Sequence, residues 1–204
     1  KQKEAVTNHD VKAVEYFVKE KASALGLGRW SEFVHFGLTS QDINNTAMPM
    51  AIRDSVREVI IPVLVSLREA LVAMAEEWAD MPMLARTHGQ PATPTRLGKE
   101  LAVFSERLDA ELMTLMMTKY SGKFGGATGN LNAHKVAYPS VNWVEFANRL
   151  LNEQLGLERQ QTTTQIEHYD GLASLFDNIR RINTIITDLC RDVWSYISLD
   201  YFKQ

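Results

Sequence analysis

Ile60-Ile61-Pro62-Val63-Leu64-Val65-Ser66-Leu67-Arg68-Glu69-Ala70-Leu71-Val72-Ala73-Met74-Ala75-Glu76-Glu77-Trp78 decides the architecture. Ile60, Leu64, Leu67, Leu71, Met74 and Trp78 step by four and three. That is the spacing of a seam along a helix face, not the alternation of a strand. The helix is expected to run from Ile43 to about Trp78, a rod of roughly 50 Å at about 1.5 Å per residue. Pro62 inside it predicts a kink or a join, because it lacks an N–H and crowds the preceding turn.

The flanking sequence repeats the theme. Leu97, Leu101, Phe104, Leu108, Leu112 and Leu115 predict a second rod, capped by Thr93 with Pro94 as its first residue. Leu172, Phe176, Ile179, Ile182, Ile186, Leu189, Val193 and Tyr196 predict another, opened by a capping box of Thr164 with Glu167. A shorter helix is expected from Ser140 to Leu155, closed by Gly156. At the start, Thr7-Asn8-His9-Asp10 caps a helix carrying Val11, Val14, Val18, Ala22 and Leu25, ended by Gly26 and Gly28. Trp30 to Leu38 reads as an aromatic helical turn. No stretch shows sustained period-two alternation, so the fold class is all-α, a bundle of long helices.

Composition excludes several functions. The 204 residues carry a net charge of only −3, with no basic block to track a phosphate backbone, which argues against nucleic-acid binding. Cys190 is the single cysteine, ruling out an intrachain disulfide and a Cys-based zinc site and fitting a reducing, cytoplasmic setting. No apolar run reaches membrane-spanning length. Lys1 at the start, and an end directly after a helical pattern without a C-cap glycine, read as a segment of a longer protein.

Between the rods lie polar islands. Arg86-Thr87-His88-Gly89-Gln90-Pro91-Ala92-Thr93-Pro94-Thr95 cannot continue either neighbouring helix and reads as a proline-set loop. An imidazole there, beside hydroxyl and amide groups, suits proton transfer near neutral pH. A structural histidine bonded to a carbonyl explains the same residues, and chemistry alone leaves both readings open. Thr39-Ser40 at a helix start offers hydroxyls and free N–H groups, suited to capping and to holding an anion. Ser121 to Asn130 is glycine-rich but follows a helix and lacks P-loop spacing. Its glycines are expected to let the backbone approach a ligand or a neighbouring helix. Gln165 and His168 fall in the first turns of the last rod, able to reach a cleft or simply to face solvent. His134 reads as structural, and His9 on its own reads as a solvent-facing residue of a first turn.

Taken together, these islands resemble the adenylosuccinate lyase family of the fumarase/aspartase superfamily. Thr39-Ser40-Gln41-Asp42-Ile43-Asn44-Asn45-Thr46-Ala47 matches T-S-x-D-x-x-x-T-A, and Arg86 to Pro94 matches R-T-H-G-Q-P-A-T-P. The opening from Thr7 to Glu15 and the run from Thr163 to Glu167 narrow the likeness further. The resemblance implies residues 1–30 closing an N-terminal helical domain and residues 31–204 forming part of a central long-helix domain. It implies a homotetramer with shared active sites and a succinylated purine nucleotide as substrate, with no cofactor, metal, nucleic acid or membrane involved. His88 would be the general acid. Thr39 and Ser40 would hold a carboxylate of the succinyl group or the phosphate, and Thr87 would be a further substrate-binding residue. Asn8, His9 and Asp10 would line the nucleotide side, with His9 assisting His88, and Gln165 would contact the succinyl group. The family's base lies on a loop of pattern Ser-Ser-x-Met-Pro-x-Lys-x-Asn, absent from this sequence, so the segment alone is expected to be inactive. The competing readings are a related lyase, such as argininosuccinate lyase or fumarase, and a non-catalytic helical scaffold.

Overall fold

The computed structural model describes residues 1–203. In chain order the elements are α1 (Glu4–Thr7), α2 (Asp10–Ala24), a 3-10 helix (Gly28–Phe33), α3 (Ser40–Ser55), a π-helical turn (Val56–Ile60) and α4 (Ile61–Glu77). Strands β1 (Pro82–Thr87) and β2 (Gln90–Arg96) precede α5 (Leu97–Met116) and β3 (Ser121–Gly122). Then come α6 (Asn132–Ala137), α7 (Trp143–Asn148), a second π-helical turn (Arg149–Gln154), β4 (Glu158–Arg159) and α8 (Asp170–Ser198). The chain is mostly helical, as its periodicity requires. It forms two compact units, one from residues 1–53 and 119–171, the other from residues 54–118 and 172 onward.

In the second unit, the α5 stripe is buried as its spacing predicts: Leu97, Leu101, Phe104, Leu108, Leu112 and Leu115 all face the core. Leu64 and Leu71 of α4 and Leu175, Ile182 and Ile185 of α8 supply further buried apolar positions. Helices α4 and α5 approach very closely at Gly98, where a Cβ would lie 2.2 Å from the Ala75 carbonyl oxygen. A bidentate pair, Arg68 Nε and Nη2 to the Asp109 carboxylate at 2.8 and 2.9 Å, fixes the helices farther along. The expected join at Pro62 takes the form of the π turn Val56–Ile60, with Pro62 in the first turn of α4. Proline's missing N–H and the crowding of the carbonyl four residues back favour a locally wider turn.

Four expectations are corrected. The stretch around His88 is an antiparallel hairpin rather than a loop, with Thr87 opposite Gln90, Arg86 opposite Pro91 and a bulge between Leu84 and Arg86. Pro91 and Pro94 force extended backbone before them, and a two-stranded ribbon tolerates their missing donors because each strand is an edge. Consequently Thr93 and Pro94 belong to β2, and α5 begins only at Leu97. Its first N–H groups, those of Leu97 and Gly98, donate to the carbonyls of Met81 and Trp78, each at 3.0 Å. The Thr164–Glu167 capping box does not form, since α8 starts at Asp170. Glu167 instead accepts from its neighbour Tyr169 N at 2.6 Å. The short helix expected at Ser140 starts at Trp143, where the Asn142 side chain accepts from Glu145 N at 3.2 Å.

Along α8, Ile182 of the predicted seam is buried, but its buried companions are Leu175 and Ile185 from the adjacent row, and Phe176 of the seam is 54% exposed. A helix with two adjacent apolar rows packs whichever one has a neighbour within the chain. Likewise Val14, Val18 and Leu25 of α2 are exposed, and its buried face carries Val11, Ala13 and Glu15.

The first unit centres on Phe124, Leu131, Ala147 and Leu151, with Leu38, Trp143, Leu150 and Leu155 packed around them. Strands β3 and β4 pair in parallel, Ser121 opposite Glu158. Buried Glu15 is held by Lys12 at 2.8 Å and Lys19 at 3.0 Å, with His35 at 3.4 Å. Burial alone would raise its carboxyl pKa, but the two lysine hydrogen bonds outweigh it and hold the group below the ordinary value.

Candidate active site

The start of α3 is the organising point of the first unit. Ser40 is its first residue, and both Thr39 and Ser40 are half-buried. Asp42, two residues into the helix, reaches back so that its Oδ2 accepts from Thr39 N at 2.8 Å. That is the geometry of a capping box with a carboxylate at N3, where the helix dipole favours negative charge. The Thr39 hydroxyl lies 3.4 Å from the same oxygen.

The other face of the Asp42 carboxylate meets the glycine-rich stretch. Oδ1 accepts from Gly125 N at 2.8 Å and Gly126 N at 3.2 Å. It also pairs with Lys123 Nζ at 2.8 Å, with both side chains fully buried. Lys123 Nζ completes its bonding on the Gly126 carbonyl at 2.7 Å. A buried ion pair is tolerable only when its remaining donors and acceptors are met, and backbone groups do so here. The glycine N–H groups that resemble an anion cradle are therefore occupied by the chain's own carboxylate.

One turn along α3, buried Asn45 anchors the segment before α8. Its Oδ1 accepts from Glu167 N at 2.9 Å, and its Nδ2 donates to the Tyr169 hydroxyl at 2.7 Å. Its carbonyl accepts from Lys123 N at 3.3 Å. At Gly129 (φ +79°), a Cβ would come within 2.1 Å of the Thr163 carbonyl, so the glycine loop lies directly on the strand of chain that leads to Gln165. Thr39-Ser40 and the glycine stretch thus meet at one helix start through Asp42, and the carbonyls of Thr163 and Thr164 lie against that stretch at Gly129. Gln165 is exposed, in a bend that precedes α8 rather than in its first turns.

Asn8, His9 and Asp10 bond locally. Asn8 adopts φ +51° at the end of α1, and His9 caps α2 by accepting from Lys12 N at Nδ1, 3.3 Å away. That bond assigns Nδ1 as the acceptor and leaves Nε2 to carry the ring proton in the neutral form. Asp10 Oδ1 accepts from Val11 N at 2.7 Å. Among the described residues, none of the three bonds to Thr39, Ser40 or Gln165.

Thr87 and His88 belong to the second unit. His88 and Gly89 form the two-residue tip of the β1–β2 hairpin, with φ +53° and +72°. Positive φ at both central residues is what a tight hairpin of this hand requires. For a histidine it is an uncommon conformation, of the kind that clusters at functional sites. The ring is exposed, and Arg86 Nη1 donates to the Gly89 carbonyl at 3.2 Å, bracing the tip.

Sequence reasoning passed over Asp42, Asn45 and Lys123 as working residues. The signal for Asp42 was present: an acidic residue three after a hydroxyl at a helix start is the capping-box spacing. Lys123 among apolar and glycine neighbours also pointed to a buried cation in need of a partner. Arg159 was missed as well. It is buried, its guanidinium bonds to Asn148 Oδ1 at 3.0 Å, Gln161 Oε1 at 2.8 Å and the Phe124 carbonyl at 3.2 Å, and burial lowers its pKa. His134, expected to be structural, is buried among Phe36, Phe124 and Trp143, the last with ring centres 4.8 Å apart. Among the described residues no cluster of three metal-ligating side chains occurs, and no helix is long and apolar enough to cross a membrane.

Comparison with known proteins bears on what this arrangement serves. A protein-family model described as "Lyase" matches residues 1–204. The chain is 57% identical over 209 residues to an adenylosuccinate lyase of Dictyostelium discoideum, covering 100% of this chain and 45% of that protein. It is 46% identical over 202 residues to one of Escherichia coli K12, covering 98% and 44%. Among solved structures, a 3-carboxy-cis,cis-muconate lactonizing enzyme from Pseudomonas putida superposes with TM-score 0.73 at 27% identity, over 93% of this chain and 42% of that one. A cycloisomerase from Acinetobacter calcoaceticus shares the fold at TM-score 0.76. The chain spans about 45% of the length of the curated relatives it matches. Its long helices, with polar islands gathered at their ends, are those of a member of the lyase family.

Proposed function

We propose that the protein containing this chain cleaves adenylosuccinate to AMP and fumarate. We further propose that it cleaves the succinylated aminoimidazole carboxamide ribotide of purine synthesis in the same way. The observation that carries this reading is the likeness, along the whole chain, to proteins named adenylosuccinate lyase.

The chemistry is a β-elimination. A base takes a proton from the carbon beside a carboxylate of the succinyl group. The resulting carbanion expels the purine-side nitrogen, which collects a proton as the C–N bond breaks. His88 supplies that proton as imidazolium, and its exposed ring at a braced hairpin tip supports the role. Thr39 and Ser40, with the N–H groups at the start of α3, hold an anionic end of the substrate, and Thr87 assists beside His88. Gln165 contacts the succinyl group, while Asn8, His9 and Asp10 line the nucleotide side. The base comes from a serine loop outside this sequence, so the segment alone does not turn over.

The exposed rows of α2 and α8, including Val14, Phe17, Phe176 and Trp194, support assembly into a homotetramer with sites shared between subunits. The composition supports a cytosolic enzyme. The test is cleavage by the full-length protein of adenylosuccinate against argininosuccinate. Cleavage of the first and not the second is the expected result, and the reverse overturns the assignment.

A further inference from the structure

A neutral hydroxyl or amide suffices to start a helix, yet α3 uses a fully buried carboxylate and matches it with a fully buried ammonium. The same carboxylate fixes Thr39 through its N–H at 2.8 Å and the glycine stretch through Gly125 N at 2.8 Å. Lys123 closes the arrangement on the Gly126 carbonyl at 2.7 Å. Without its charge partner, either group would be an uncompensated ion in the interior.

We propose, building on the reading of Thr39 and Ser40 as substrate-holding groups, that Asp42 clamped by Lys123 is a positioning residue for the anionic end of the substrate. By tying the Thr39 backbone and hydroxyl to Gly125 and Gly126, the pair sets the direction of the hydroxyls and of the free N–H groups of α3. Because Asp42 itself fills the glycine N–H groups, the substrate anion meets Thr39 and Ser40 and not the glycine stretch. Asp42 touches no substrate and acts only through Thr39 and Ser40.

The experiment measures kcat and KM for adenylosuccinate, together with the thermal midpoint, in the full-length protein. Three forms are compared: unmutated, Asp42→Asn, and Asp42→Asn with Lys123→Met. Asparagine keeps the shape but strands a buried ammonium, and methionine removes that ammonium, so the double variant regains most of the midpoint lost in the single. The expected result is a KM raised about tenfold or more in both variants, with the midpoint recovering only in the double. A purely structural pair moves the midpoint alone. A KM within about twofold of the unmutated value in either folded variant overturns the positioning role, and so does a double variant that fails to fold. Absence of cleavage by the unmutated protein overturns the functional reading itself, and the clamp's role with it, whereas normal cleavage with an unshifted KM overturns the clamp alone.

Discussion

Gly37 presses against the ring of His134 so closely that a Cβ at this position would lie 2.8 Å from its Cε1 atom. Gly37 also has φ +64°, where any side chain is strained. Gly37→Ala is therefore expected to destabilise the first unit by about 2 kcal/mol, combining backbone strain with overpacking. Denaturant unfolding of the full-length protein checks this, and an unchanged midpoint contradicts it.

The same contact sets a pH dependence. Burial among aromatic rings lowers the His134 pKa, outweighing the Phe36 backbone and the Asp42 charge, which pull it up. The fold thus favours neutral imidazole. Stability from this group is fully present above the unfolded value of about 6.5 and declines as pH falls below it, because the unfolded chain takes the proton first. His134→Leu is expected to flatten the fall in thermal midpoint between about pH 6.5 and 5. An identical slope in the variant counts against this account.

Gly98 makes a different demand. A Cβ there would sit 2.2 Å from the Ala75 carbonyl and 2.8 Å from the Ala79 Cα, both backbone atoms that cannot swing aside. Gly98→Ala is expected to cost about 3 kcal/mol despite alanine's better helix propensity. A stabilised variant would mean that α4 and α5 separate easily, contrary to their close packing.

Legibility followed how local the determinants are. The α5 stripe from Leu97 to Leu115 is readable because every member faces the same core, and helical spacing alone specifies that face. The offset row of α8 is not, because its spacing fits two adjacent faces and only packing chooses between Leu175 and Phe176. The hairpin at His88 hides behind its prolines, which signal extended backbone without saying that two extended pieces pair. At the site, Thr39 and Ser40 announce a helix start. The bond from Asp42 to Gly125, 83 residues apart, is a long-range fact that no local pattern encodes. Asn45 and Glu167, 122 residues apart, are hidden for the same reason.

In the proposed reaction, His88 at the hairpin tip delivers the proton to the departing nitrogen. The decisive measurement is kcat for adenylosuccinate in full-length His88→Ala, with folding checked by circular dichroism. The expected result is a fall of about two orders of magnitude or more with the helical spectrum unchanged. A folded His88→Ala protein turning over at near the unmutated rate would contradict it.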